Sequence, residues 1–282
     1  MGEAIARSTF DERDEADFRA RLARELVELA TLLARPGFGV GPASVGAEVE
    51  MVLVDRDMRP AQVNLEVLDT LGDHAGPDGA SPEVDAFCVE LDTPPGPLAG
   101  TPFADLEREI ARGIERVQAA AAAHECAAIA IGTLPTAGLD ELAFDRAVTA
   151  EARYAALGTR LTDERADDEI AIEGEEHLSL RLPGIAAEGT MSALQVHLRV
   201  DPARFAATLN AAHLASAPVL ALAANSQFVL GRSLWPESRI ALFRQVVDGA
   251  RPHPGHPSRA PLAHGWLRGS AYELFAENVR MY

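Results

Sequence analysis

VGAEVEMVLVD, residues 45–55, alternates: Val45, Ala47, Val49, Met51 and Leu53 fall on one side, Glu48 and Glu50 on the other. A period of two is the signature of a strand with one buried face. Glu48 and Glu50 therefore project together from the opposite face, where two like charges repel. A solvated outer face usually mixes lysine, arginine and threonine with its acids, and this stretch has none of them. The pattern points to a strand that carries chemistry.

Upstream, Phe18, Leu22, Leu26, Leu29 and Leu33 form one helical stripe over residues 15–35, ended by Pro36-Gly37. Downstream, a loop rich in Gly, Asp and Pro at 72–82 leads to a second strand, 87–92. There Glu90 and Asp92 share one face, Val89 and Leu91 the other, and the prolines of TPPGP stop the ladder. Thr101-Pro102 opens a helix over 102–125. AAIAIG, residues 127–132, predicts a buried strand, and 145–162 a helix. IAIEGEEHLSLRL alternates on both sides of Gly174-Glu175, a hairpin signal. A third loaded strand, 194–200, puts Gln195, His197 and Arg199 opposite Leu194, Val196 and Leu198. Asp201-Pro202 then caps an alanine-rich helix to about residue 224, and 236–248 is a short amphipathic helix before a loop rich in Pro, His and Gly. Strands in hairpin-like succession mixed with helices on one side predict an α+β fold with an antiparallel sheet.

Composition narrows the partners. With 48% hydrophobic and 24% charged residues the chain can bury a sizeable core. A net charge of −18 opposes a phosphate backbone, so no nucleic-acid partner is expected. No run of about eighteen apolar residues free of charge is read in the sequence, and MGEAIARSTFDERDEADF lacks the apolar core of a signal peptide. The expectation is a cytoplasmic protein with no membrane partner. Cys88 and Cys126 lie in apolar contexts without metal-ligand spacing, as buried thiols do.

If the three loaded strands are neighbours in one sheet, four carboxylates and an imidazole converge on its open side. That set suits a hard divalent cation with oxygen ligands and one nitrogen ligand. No GxxxxGK[ST] loop and no GxSxG elbow occurs, and GFGVG follows a helix where a dinucleotide fingerprint needs a strand. His253 and His256 have metal-like spacing but no third ligand nearby in sequence. Arg153, Arg232, Arg239 and Arg244 offer planar cationic forks for anions.

GAEVEMVLVD, VELDTPPGPL, IGTLPT, RYAAL, LQVHLRVDP and ALAANSQFVLGR, in that order, resemble the glutamate-cysteine ligase family, in its bacterial carboxylate-amine ligase branch. The resemblance spans roughly residues 40–248. It implies a glutamine-synthetase-like fold, a single catalytic domain over residues 1–282 whose curved antiparallel sheet, with helices packed on its outer side, forms a funnel for ATP, magnesium and an amino acid. It also implies a cytoplasmic, ATP-dependent ligase that phosphorylates the side-chain carboxylate of glutamate and lets an amine, such as that of cysteine, displace the phosphate, as in synthesis of a glutathione-like thiol. Carried over by motif, Glu48, Glu50, Glu90 and His197 would be ligands of Mg²⁺ (or Mn²⁺), with Glu83 a further candidate. Arg153 and Arg239 would be catalytic, and Tyr154, Gln195 and Asn225 would bind substrate. The partners implied are ATP, glutamate and an amine, and a homo-oligomer is compatible with them. Relatives continue past the position of Tyr282 with a late strand bearing an acid and an arginine, so the chain is expected to lack the C-terminal part of that domain. Asp92 and Gln227 depart from the residues many relatives have there. The competing readings are a non-catalytic nucleotide- or amino-acid-binding descendant acting as an interaction module, and a metal-dependent hydrolase using the same acids.

Overall fold

The computed structural model describes residues 5–76, 79–165, 169–181, 185–248 and 265–279. In chain order the helices are α1 (Glu12–Leu33), α2 (Asn64–Leu71), α3 (Pro102–Ala122), α4 (Phe144–Ala147), α5 (Ala152–Arg165), α6 (Phe205–Ala223), α7 (Ser238–Asp248) and α8 (Ala271–Val279). The strands are β1 (Ser44–Val54), β2 (Ala80–Pro82), β3 (Cys88–Asp92), β4 (Gly96–Pro97), β5 (Ala127–Ile129), β6 (Ile170–Glu173), β7 (His177–Leu180), β8 (Leu194–Leu198), β9 (Phe228–Val229) and β10 (Arg232–Ser233). The fold is α+β, built on an open antiparallel sheet of six strands in the order β2-β3-β1-β4, with β5 and β8 also paired to β1.

The chain divides into two compact units. The first comprises Met1–Ser8, Val45–His197 and Ala224–Ala250. Its framework follows from the period-two pattern of β1. Val49, Met51 and Leu53 join Val89 and Leu91 of β3 in a core closed by Val67, Leu68 and Leu71 of α2 and by Val117, Ala120 and Ala121 of α3. Each of the valine, leucine and methionine side chains contributes roughly 1.5–3 kcal/mol when fully buried. α3 comes close because Gly113 faces Leu91: a Cβ there would lie 2.2 Å from Leu91 Cδ2. The other face of β1 changes character along its length. Its acids give way to Val52 and Val54, which pack with Phe87, Cys88, Leu134, Leu142 and Ala186 in a second core. Both cysteines are buried, as the sequence predicts.

Three elements differ from the expectations. The helix predicted over 145–162 is two helices, because Thr149 leaves the helical path to donate its N–H to the Val84 carbonyl (2.8 Å) and its hydroxyl to the Glu83 carbonyl (2.6 Å). The short α2 carries no side-chain cap, and the sequence does not single it out. In β8 the apolar residues Leu194, Val196 and Leu198 are 57%, 53% and 50% exposed, since among the described residues no element covers that face. The predicted hairpin is present: β6 pairs with β7 from Ile170↔Leu180 to Glu173↔His177.

The second unit comprises Thr9–Ser44, Leu198–Ala223 and Arg251–Tyr282. Asp11 caps α1 by accepting from Arg13 and Asp14 N–H, and Asp14 returns the bond to Asp11 N–H, a capping box. Asn210 of α6 exchanges two bonds with the backbone of Leu267, at 2.8 and 3.0 Å. One helix, Pro202–Ala223, is long and apolar enough to cross a membrane, with 6% of its apolar window buried. It is not an unbroken apolar run, since Thr208, Asn210, His213 and Ser216 interrupt its apolar residues. The loop at 249–264, with His253 and His256, lies outside the described residues.

Candidate functional site

The register of β1 against β3 sets acid opposite acid. Glu48 faces Asp92 and Glu50 faces Glu90, while Val49, Met51, Val89 and Leu91 between them point into the core. A carboxylate oxygen from each of Glu48, Glu90 and Asp92 lies within 4.8 Å of the others. Two unit charges 4 Å apart repel by about 4 kcal/mol at the effective dielectric of a protein surface, so such a group requires a proton or a cation. His197 of β8 reaches the same group, its Nε2 3.4 Å from Glu48 Oε2. Oxygen donors in excess with a single imidazole match Mg²⁺ or Mn²⁺ far better than a thiolate-seeking metal.

The protonation of this face reports the same crowding. Burial, then the charges of Glu83, Glu48, Asp92 and Glu50, push the Glu90 carboxyl up to about 8. Burial and Glu83 push Glu50 up to about 7, against an N–H bond from Ala193 (2.8 Å) and the nearby Arg239, which pull it down. Glu83 is raised by burial and shares a side-chain hydrogen bond with Glu90. A cation held here replaces the retained protons.

Arg153 and Tyr154 converge on one backbone atom beside Glu83. The Tyr154 hydroxyl donates to the Pro82 carbonyl at 2.9 Å, Arg153 Nη2 donates to the same carbonyl at 3.3 Å and to the Tyr154 hydroxyl at 2.6 Å, and Glu151 pairs with Arg153 Nε at 2.7 Å. The guanidinium also lies 4.4 Å from the Tyr154 ring centroid. Thr149 holds the next two carbonyls, and Asn64 donates to Thr149 Oγ1 (2.8 Å) and the Cys88 carbonyl (3.1 Å). The segment carrying Glu83 is thus tied down carbonyl by carbonyl.

Arg239 is held in a fork. Its Nε and Nη2 donate to the two oxygens of Glu237 at 2.9 and 3.3 Å, and its Nη1 to the Ser192 carbonyl at 2.7 Å. Glu237, 5% exposed, also accepts from Asn225 N–H (3.1 Å) and the Ser226 hydroxyl (3.3 Å). The Asn225 side chain is exposed, its Oδ1 so close to Gly132 that a Cβ there would come within 2.2 Å. Gln195 is exposed on β8, two residues from His197 and on the same face. Of the remaining arginines, Arg232 pairs with Glu176 at 3.2 Å and Arg244 is exposed on α7. Glu48, Glu50, Glu83, Glu90, His197 and Arg239 are therefore brought to one side of the sheet, with Arg153 and Tyr154 behind Glu83.

Two acids beside this face are not singled out by the sequence. Glu188 opens a single 3-10 turn, Glu188–Thr190, and Asp85 forms an isolated bridge with Val148, so neither lies in an element long enough for periodicity to mark a face. Burial and then the charges of Glu83, Glu50 and Glu90 push Glu188 up to about 8. Asp85 is fully buried, and among the described residues neither of its carboxylate oxygens has a hydrogen-bond partner.

The protein is α+β, with an open antiparallel sheet that gathers carboxylates and an imidazole on one face, a donor set able to hold a divalent cation, with arginines fixed beside them. Residues 44–268 match the family described as Glutamate-cysteine ligase family 2 (GCS2), and the chain belongs to that family. It is a family of ligases, which act on small-molecule substrates and in general use ATP with a divalent metal. A search of the curated proteins gives no match.

Proposed function

We infer that the chain carries the cation and phosphoryl site of an ATP-dependent carboxylate-amine ligase, which joins the side-chain carboxylate of glutamate to an amine such as that of cysteine. The observation that carries this reading is the convergence of Glu48, Glu90 and Asp92 within 4.8 Å, with His197 beside Glu48, in a chain of this ligase family. Four acids on paired strands support a role that a basic phosphate loop plays elsewhere, and so reconcile a net charge of −18 with a polyanionic nucleotide.

Bound Mg²⁺ would supply electrophilic neutralisation of the phosphate oxygens during transfer. The chain's residues would do the rest. Glu48, Glu50, Glu90, Asp92 and His197 would hold the cation on a rigid sheet. Arg239, fixed by Glu237, would set a permanent positive charge beside Glu50, where an anionic acyl phosphate or tetrahedral adduct gains from it. Gln195 and Asn225 would bind substrate polar groups, and Arg153 with Tyr154 would hold Glu83 in place. In the reaction a glutamate carboxylate oxygen attacks the γ-phosphorus, ADP leaves, the amine attacks the acyl carbon, and phosphate departs with that oxygen.

ADP release with Mg²⁺, glutamate and a panel of amines tests this. Turnover that requires all of ATP, glutamate and one amine is expected, and absence of turnover with every amine would count against it.

A further inference from the structure

Arg239 is bound by the protein at more points than a bare positive charge needs. A guanidinium carries five N–H donors in one plane, and three are taken: Nε and Nη2 by the two oxygens of Glu237, at 2.9 and 3.3 Å, and Nη1 by the Ser192 carbonyl at 2.7 Å. One N–H on Nη1 and one on Nη2 have no partner among the described residues. The side chain is 23% exposed, so these two donors are open to a small anion. Paired donors on one guanidinium match the paired oxygens of a carboxylate or a phosphoryl group.

Two contacts set the direction of that fork. The Ser192–Ala193 peptide unit takes Arg239 on its oxygen and gives its N–H to Glu50 Oε2 at 2.8 Å, while the Ala193 carbonyl accepts from Glu50 N–H at 3.0 Å. Arg239 is thereby registered to β1, the strand that carries the acids. A single bond to Ser192 would still let the guanidinium pivot; the paired bonds to Glu237 remove that freedom. Glu237 has no edge left for a substrate. Its side chain is 7% exposed, it accepts from Asn225 N–H at 3.1 Å, and its Oε2 lies 3.3 Å from the Ser226 hydroxyl.

Stability alone does not account for the pair. A buried ion pair is often no better for stability than well-packed apolar residues. Glu237 and Arg239 are also two residues apart at the start of α7, so the bonds between them tie no distant segments together. What those bonds fix is orientation.

We propose that Glu237 is a positioning residue of the reaction: without touching substrate, it holds Arg239 as a two-donor fork for a carboxylate or phosphoryl group and, through Asn225 N–H, sets the backbone that carries the Asn225 side chain. This rests on the ligase reading above and adds to it a residue that acts only through others. A misplacement of about 1 Å at such a group costs up to about 10²-fold in rate.

Guanidinium rescue tests the role. Arg239→Ala leaves a gap beside an intact Glu237, and millimolar guanidinium chloride, with sodium chloride as control, is expected to raise both its melting temperature and its rate of ADP release. In the Arg239→Ala/Glu237→Gln double variant neither should rise. Glu237→Gln alone is expected to lose at least about tenfold in kcat while its Mn²⁺ affinity, read from the electron paramagnetic resonance of free Mn²⁺, stays within about twofold of wild type, since the bonds between Ala193 and Glu50 remain. Glu237→Asp, which keeps the charge on a shorter arm, should fall between, and the two single variants decide the matter if Arg239→Ala does not fold. Equal rescue in both Arg239→Ala backgrounds, an undiminished kcat in Glu237→Gln, or a parallel loss of kcat and Mn²⁺ affinity overturns the positioning role and leaves the ligase reading standing. A wild type that turns over no amine overturns both.

Discussion

Glu50 stands directly opposite Glu90 across the β1–β3 ladder, two pairs along from Glu48 and Asp92 and on the same face. Directly opposed like charges destabilise a sheet, so this arrangement works against the stability of the metal-free protein and is relieved only by a proton or a cation. Replacing Glu90 by Gln keeps the shape and removes one charge. Glu90→Gln should melt at a higher temperature than wild type at pH 9 in chelator, and should lose at least tenfold in Mn²⁺ affinity. Thermal melts and a Mn²⁺ titration check the two halves, and a variant that is less stable yet binds normally contradicts the role given to the pair.

The retained protons give the metal-free protein a defined pH dependence. Glu50, Glu90 and Glu188 sit at about 7, 8 and 8 in the folded chain, against 4.5 for an unperturbed glutamate. The folded state keeps protons that the unfolded state gives up, so their stabilisation is fully present below about pH 4.5 and is lost as pH rises through 7 and 8. Each retained proton changes stability by up to about 1.4 kcal/mol per pH unit inside that window. Melting temperature in chelator should fall from pH 5 to pH 9, and Mg²⁺ should flatten the fall. A melting temperature that climbs over this range would show that these acids are not crowded.

The Tyr154 hydroxyl closes the latch on Pro82, donating to its carbonyl at 2.9 Å and accepting from Arg153 at 2.6 Å. Tyr154→Phe deletes both bonds in a buried setting. The cost should be about 1–3 kcal/mol, the range for leaving a buried partner unsatisfied. Urea denaturation should show a lower midpoint with an unchanged slope. A midpoint equal to wild type means the latch is not under tension.

Gly113→Ala sets two effects against each other. Alanine favours an α-helix over glycine by about 1 kcal/mol. Its Cβ, however, would meet Leu91 Cδ2 at 2.2 Å, inside a core where overpacking costs about 1–3 kcal/mol. Leu91 is 3% exposed and has little room to yield, so the clash should win and the variant should be less stable than wild type. Calorimetry decides it, and net stabilisation would mean that α3 can move outward freely.

The alternation of β1 and β3 made the framework legible, because a period of two assigns each side chain to a face before any partner is known. His197 could be placed on a face but not at a distance; its 3.4 Å approach to Glu48 depends on β8 pairing with β1, which periodicity does not state. Asp92 shares the face with Glu90 in the sequence, yet motif transfer assigns a ligand role only to Glu90. The structure groups the two with Glu48. The break between α4 and α5 was hidden, since Thr149 is called away by the Glu83 and Val84 carbonyls, which lie far from it in sequence. Glu188 and Asp85 were hidden for the same reason: their burial comes from tertiary packing of a single 3-10 turn and an isolated bridge, too short for a local pattern to announce it.

Transfer of oxygen tests the central claim most directly. Glutamate labelled with ¹⁸O in its side-chain carboxylate, incubated with the chain, ATP, Mg²⁺ and the accepted amine, should yield inorganic phosphate carrying one ¹⁸O, visible as an isotope shift in ³¹P NMR. Glu90→Gln should abolish the transfer. Phosphate released without label would mean that water, not the glutamate carboxylate, takes the γ-phosphoryl group, and would contradict the assignment of this carboxylate-lined face to amide-bond formation.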